Sequence, residues 1–394
     1  MNADHTNTGE RNAEARSAQD ESDVNVGRGE IVHEWLEPVG GAENVIEELL
    51  HVLPEAKLTA AWNDAPARFP AARETVLGRT PLRRSKPLAL PAMPLVWRHL
   101  GSSDAQWVLS SSHLFAHHAR FSGPARDAVR LVYAYTPARY IWSPELDQRG
   151  RSRAVKSLAP AFRHLDKRRA AEADSIVAIS RHVARRIEEF WDQPSDVIYP
   201  PVDARAIITE LATETDLTVE EQVVLAGLPR DFVLGASRFV PYKRLEDVIS
   251  AGEAADLPVV LAGDGPHRPV LEARAASSSV PVTFVKSPST PLLRRVFERA
   301  TVYVFPALED FGIVPVEAMA AGTGVVALDT GGSSETVISG RTGATVPSFA
   351  SDDLSEAVRT AAGVDPEACR ARSLDFDTEI FRRNIRGWVT RSVR

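Results

Sequence analysis

Glu309 and Glu317 stand on either side of a strand-to-helix crossing, and an ionised carboxylate there can only accept hydrogen bonds. That suits hydroxyl groups, such as the diols of a ribose or a hexose. Arg238 and Lys243 follow the apolar run Phe232-Val233-Leu234-Gly235-Ala236, and two cations so placed suit phosphate oxygens. The turn Gly263-Asp264-Gly265 and Lys286 follow two further apolar runs. In the first half, Gly40-Gly41 lies between an apolar run and a helical pattern through Val45, Ile46, Leu49 and Leu50, where free helix N–H groups favour an anion. His113 closes Trp107-Val108-Leu109-Ser110-Ser111-Ser112, with His117 and His118 close behind. The i, i+4 spacing of His113 and His117 would suit a metal on one helix face, but no acidic third ligand lies nearby in sequence. A polar, substrate-facing role for His113 or His118 is the better reading.

The elements that must position these residues alternate. Val302-Tyr303-Val304-Phe305 reads as a strand. Val314-Pro315-Val316-Glu317-Ala318-Met319-Ala320-Ala321 reads as a helix with Pro near its start and Gly322 just past its end. Val325-Val326-Ala327-Leu328 is the next strand and runs into Gly331-Gly332. Strands are also expected at 31–36, 107–113, 131–137, 175–180, 197–203, 232–238, 259–262 and 281–285, with helices between them. Such alternation predicts parallel, doubly wound sheets. Ligands of open parallel sheets bind beyond the carboxyl ends of the strands. Arg238, Lys243, Gly263, Gly265, Lys286 and Glu309 all follow strands, so they converge on one rim. A ligand with phosphates and several hydroxyls, a nucleotide sugar, is what that rim asks for.

A chain of 394 residues predicts two domains. Residues 1–27 are polar and read as a disordered tail, 28–204 as the first domain, 205–375 as the second, and 376–394 as a helix returning to the first. Net charge is −7, from 46 basic and 53 acidic residues, which disfavours a nucleic-acid binder. The one cysteine, Cys369, excludes an internal disulfide and a thiolate metal cluster. No apolar stretch reaches the roughly 20 residues of a membrane span, so a cytoplasmic protein is expected. Residues 79–97 place Arg79, Arg83, Arg84 and Lys86 beside a proline-broken apolar segment; the prolines forbid a long amphipathic helix, so a packed loop with a basic edge is the better reading, and contact with an anionic surface at the inner face of the membrane the alternative. A nicotinamide-dependent dehydrogenase would share the α/β pattern, but Gly263-Asp264-Gly265 continues to Arg268, not to a third glycine. An inactive sugar-nucleotide-binding protein is the other rival. Asp375-Phe376-Asp377 reads as a helix N-cap, not as a metal-binding motif.

Together these motifs resemble the retaining GT-B glycosyltransferases of family-four type (glycosyl transferases group 1). Glu309 and Glu317 match the family's E-x7-E motif. Ser237-Arg238 with Tyr242-Lys243-Arg244, Gly263-Asp264-Gly265-Pro266 and Gly331-Gly332-Ser333-Ser334-Glu335 stand where the family has similar signatures. His33-Glu34-Trp35-Leu36, Gly40-Gly41-Ala42-Glu43, Ser111-Ser112-His113, Tyr135-Thr136-Pro137-Ala138-Arg139-Tyr140 and Tyr199-Pro200-Pro201-Val202-Asp203 resemble its mannosyltransferase-like branch. Tyr135 stands where that branch often carries His, and Ala138 where Met is common.

The resemblance implies two Rossmann-like domains facing each other across a cleft. It implies a hexosyl transfer with retention, from a nucleotide sugar to a glycan or lipid-linked acceptor, in cell-surface polysaccharide or glycolipid synthesis. GDP-mannose is the favoured donor and a UDP- or ADP-sugar the alternative. Arg238 and Lys243 would hold the diphosphate as it leaves, and Glu317 the ribose. Glu309 would hold the hexose, assisted by the backbone of Phe311, Gly312 and Ile313. Gly40-Gly41 would face the phosphates, residues around Gly263, Gly265 and Lys286 would meet the base, and His113, less readily His118, would touch the transferred sugar. No metal or other cofactor is expected.

Overall fold

The computed structural model describes residues 26–143, 153–213, 217–350 and 352–394. Most of the expected tail, residues 1–25, lies outside the described residues. At the start of the described residues the Trp107 indole N–H donates to the Val26 carbonyl at 2.9 Å.

Short runs of Val, Ile, Leu and Ala, buried on both faces, build two wholly parallel sheets. The first holds β1 (Gly29–His33), β2 (Lys57–Ala60), β3 (Arg73–Glu74), β4 (Trp107–Ser112), β5 (Val129–Ala134), β6 (Ser175–Ala178) and β7 (Asp196–Val197), in the order β3-β2-β1-β4-β5-β6-β7. The second holds β8 (Val233–Ala236), β9 (Val259–Ala262), β10 (Val282–Val285), β11 (Val302–Phe305), β12 (Val325–Leu328) and β13 (Gly343–Val346), in the order β10-β9-β8-β11-β12-β13. This is the expected two-domain α/β architecture. Each sheet reverses its winding once, between β1 and β4 and between β8 and β11. Loops diverge at such a point and leave a crevice. The loops that follow β1, β4, β8 and β11 carry Gly40-Gly41, His113, Arg238-Lys243 and Glu309.

The expected strand at 197–203 pairs only through Asp196 and Val197. Pro200 and Pro201 lack the N–H a ladder needs, and Val202 instead makes an isolated bridge to Asp377. Asp377 caps the last helix, Thr378–Val393, by accepting from the Glu379 N–H at 3.2 Å. That helix lies on the first domain: Trp388 Nε1 donates to Ser175 Oγ at 2.8 Å, and Arg382 pairs with Glu48 at 2.5 Å. Tyr199, Phe311 and Phe376 pack ring on ring between the sheets, with centroids 5.1–5.6 Å apart. Among the described residues no helix is long and apolar enough to cross a membrane.

Candidate active site

In the second domain the loop after β8 carries exposed Arg238 and the 3-10 turn Pro241–Lys243. Lys243 Nζ lies over the Tyr242 and Phe305 rings, 5.4 and 5.7 Å from their centroids, and donates to Glu309 Oε1. Arg238 has no ion-pair partner among the described residues. Gly263, at φ +137°, lets the turn after β9 press against this loop, since a Cβ there would lie 2.0 Å from the Ser237 carbonyl oxygen. The Gly265 N–H donates to Asp264 Oδ1 at 2.9 Å, and the exposed Lys286 ammonium is 3.6 Å from Asp264 Oδ2.

The loop after β11 splits two adjacent carboxylates between two tasks. Glu309 turns to Lys243. Asp310 turns to the first domain, where Arg139 Nη2 and Arg186 Nη1 donate to it at 2.5 and 2.9 Å. Ser180 Oγ donates to the Asp310 carbonyl at 2.5 Å. From the glycine turn after β12, Gly332 N–H supports the Glu309 carbonyl at 2.8 Å, and Glu335 reaches across the domain boundary. Its carboxylate accepts from the N–H groups of Arg181 and His182 at 2.8 and 2.6 Å, at the N-terminus of helix Arg181–Trp191. A negative charge is stabilised at that end of a helix. Glu335, the last residue of the Gly331-Gly332-Ser333-Ser334-Glu335 motif, is thus one half of a latch, and Asp310 is the other.

Glu317 does not share the Lys243 rim. One turn into helix Ile313–Ala320, it lines a separate cavity of ≈ 160 Å³ with Asn44, Asp203, Arg294 and Ile313. Burial pushes its carboxyl above the ordinary range, opposed by Arg294 and assisted by Asp203. The domains meet beside it. A Cβ at Gly41, which begins helix Gly41–Val52, would lie 3.2 Å from Ile313 Cδ1. The glycine therefore leaves room for the Ile313 side chain of the other domain.

In the first domain the three histidines part company. His113 Nδ1 lies 3.1 Å from Glu34 Oε2, with its side chain 27% exposed. His117 and His118 turn inward, each with Nε2 about 3 Å from Asp166 Oδ1, at 3.1 and 3.0 Å. Burial lowers the His118 pKa to about 4. A sugar-contacting role for His118 is therefore corrected, because its side chain is sealed against Asp166. The fold also supplies what the sequence lacked locally, an acidic neighbour for each histidine group. The ligand atoms of His33, Glu34 and His113, and of His117, His118 and Asp166, lie within 4.8 Å of one another. Both carboxylates are already crowded with donors: Glu34 by the N–H groups of residues 113–116, and Asp166 by the Trp142 and Trp191 indoles at 2.7 Å each.

The chain matches two family models: "Glycosyltransferase Family 4" over residues 39–206 and "Glycosyl transferases group 1" over residues 220–369. It is 34% identical over 160 residues to alpha-maltose-1-phosphate synthase of Mycolicibacterium smegmatis, covering 36% of this chain and 41% of that protein. It is 27% identical over 219 residues to the GDP-mannose-dependent alpha-(1-6)-phosphatidylinositol monomannoside mannosyltransferase of the same organism, covering 51% of this chain and 56% of that one. The chain thus spans about half the length of these relatives. Its fold is similar to that of Anabaena HepE, crystallised with UDP, with a TM-score of 0.67 at 18% identity over 93% of this chain and 100% of the other. Two parallel α/β domains, the matched motifs on their facing loops and a family model for each half agree: the chain belongs to the GT-B glycosyltransferases of family-four type.

Proposed function

We propose that this protein transfers a hexose, mannose favoured, from a nucleotide sugar to a glycan or lipid-linked acceptor with retention at the anomeric carbon. The observation that carries the reading is the Lys243–Glu309 pair beside exposed Arg238 at the β8/β11 crevice. In the free protein the ammonium and carboxylate neutralise each other. A donor diphosphate would take up Lys243 and Arg238, leaving Glu309 to accept from hexose hydroxyls. As the bond from the anomeric carbon to the phosphate oxygen breaks, the two cations would stabilise the charge growing on the leaving group. The acceptor oxygen would bond to the same face of the sugar, and its proton would pass to the departing phosphate oxygen. No general base and no metal ion is required by this scheme, so chelation by EDTA should leave the rate unchanged. Glu317, in its own cavity beside Gly41 and Asn44, would receive the ribose.

The GDP-mannose-dependent relative supports GDP-mannose as the donor, with a UDP- or ADP-sugar as the alternative. Contact with an anionic membrane surface at the cytoplasmic side is part of the same reading. It is supported by Leu88 and Leu95, each 67% exposed beside the basic segment. Co-sedimentation with anionic phospholipid vesicles, absent with neutral ones, is the expected result. The donor is tested by a thermal-shift panel of GDP-, UDP- and ADP-sugars, because a ligand that binds the native state raises the melting temperature. GDP-mannose should give the largest shift. A larger shift with another base would move the donor assignment, and no shift with any would overturn the reading.

A further inference from the structure

Glu34 directly follows β1 and is fully buried. Its two oxygens have different surroundings. Oε1 accepts from the backbone N–H groups of Leu114, Phe115 and Ala116 at 2.9, 3.0 and 2.9 Å, and more loosely from the His113 N–H and Ser112 Oγ at 3.2 Å each. Oε2 is 3.1 Å from His113 Nδ1. Burial works against the charge, yet His113, His33 and the Ala116 N–H outweigh it, so the carboxyl stays well below its usual range. His33 is engaged elsewhere, with Nδ1 2.9 Å from the Ser111 carbonyl oxygen. An ionised carboxylate only accepts, so His113 Nδ1 must be the donor of this pair. Nε2 is then the ring nitrogen left to a ligand, and in the neutral ring it carries a lone pair. The ring is held by Trp35, edge-on at 4.9 Å, with His33 and Tyr135 at 5.5 and 6.2 Å.

We propose that Glu34 is a positioning residue: it fixes His113 as the Nδ1–H tautomer and so presents Nε2 to the cleft as an acceptor for a sugar hydroxyl. The loop clamp alone would need only Oε1; the contact of Oε2 with the ring is the additional feature. What occupies the cleft rests on the proposed transfer reaction, whereas the tautomer does not. A carboxylate that orients a metal-bound histidine typically changes affinity or activity by about 10- to 100-fold when it is replaced, and the same scale is taken for this pair.

The experiment uses the full-length protein labelled with 15N at histidine, with His113 assigned by the signal lost in His113→Gln. The wild-type protein near pH 8 should show Nδ1 protonated and Nε2 unprotonated; the reverse would overturn the proposal without any variant. Glu34→Gln keeps an oxygen for the 114–116 N–H groups but turns an amide N–H₂ toward the ring. The tautomer should invert, with Nε2 protonated, while the melting temperature changes little. The rate constant kcat should fall about 10- to 100-fold with a smaller change in the donor KM. In His113→Gln the same Glu34 substitution should add no further loss. Additive losses, or an unchanged kcat with an inverted tautomer, would reduce Glu34 to a loop clamp. Absence of transfer by the wild-type protein with every sugar nucleotide would instead defeat the proposed reaction and leave the tautomer result standing.

Discussion

The first domain builds the same device twice with opposite outcomes. At both nodes a buried carboxylate gathers backbone or indole N–H groups and faces histidine. At Asp166 the histidines are sealed, with side-chain exposures of 0% for His117 and 1% for His118. At Glu34 the histidine keeps 27% of its side chain open. The chemistry of the partners is alike, so exposure decides what each can do. A sealed pair welds the 3-10 turn Ala116–His118 to helices Arg153–Ala170 and Arg181–Trp191, whereas an open one can meet a ligand. Asp166 should therefore carry stability without rate, and Glu34 rate as well as its hold on the 113–116 loop.

The largest effect expected is on the sealed side. Asp166→Ala strands the Trp142 and Trp191 indoles and both histidines, and leaving buried partners uncompensated costs about 3–5 kcal/mol. Urea unfolding should record that loss while the transfer rate per folded molecule is kept; a rate that falls with the unfolding midpoint preserved would erase the contrast. Next comes the cleft. Lys243→Ala and Arg238→Ala should each lower kcat by roughly 10²–10³, the scale for removing one preorganised stabiliser of transition-state charge, with the unfolding midpoint held. Wild-type turnover in either variant would remove the cations from the leaving-group role.

Acid should then find the sealed node. The folded His118 pKa is depressed to about 4 from its ordinary 6.5, so between these values the unfolded chain binds the proton more tightly. The stability His118 contributes is full above pH 6.5 and is lost as the pH falls through that window toward 4. The loss should be on the order of 2 kcal/mol between pH 7 and pH 4.5. Unfolding midpoints at the two pH values check this, and a His118→Asn protein should show a shallower slope. The smallest effect belongs to the interdomain latch. Asp310→Asn keeps an oxygen for Arg139 and Arg186 but loses the charge, and the loss should fall on the contact between the domains. Small-angle scattering should report a larger radius of gyration for the donor-free protein, and an unchanged one would take Asp310 out of the latch.

Much of the cleft was legible because the rim of a parallel sheet is fixed by where strands end. Arg238, Lys243 and Glu309 each follow a strand, so topology brings them together without knowledge of side chains. Glu317 was harder to place, since one turn of helix carries a side chain away from the rim and into a neighbouring cavity. Glu34 could not be assigned, because its partners at 113–116 lie some 80 positions along the chain. Its signals were a charge inside an apolar run that the fold buries and its place in the His33-Glu34-Trp35-Leu36 motif. Asp310 and Glu335 gained meaning only when the two domains met, and β3, two residues long, is too short to leave a pattern. Pro200-Pro201 was read correctly as a break and still left the strand before it too long.

In the proposed reaction Lys243 and Glu309 exchange each other for the diphosphate and hexose of a sugar nucleotide. The most direct measurement is the release of nucleoside diphosphate from GDP-mannose, UDP-glucose and ADP-glucose by the wild-type protein and Lys243→Ala side by side. Release is expected from one donor, GDP-mannose first, reduced at least about 100-fold in the variant. Release from none of the three, or equal release by both proteins, would contradict it.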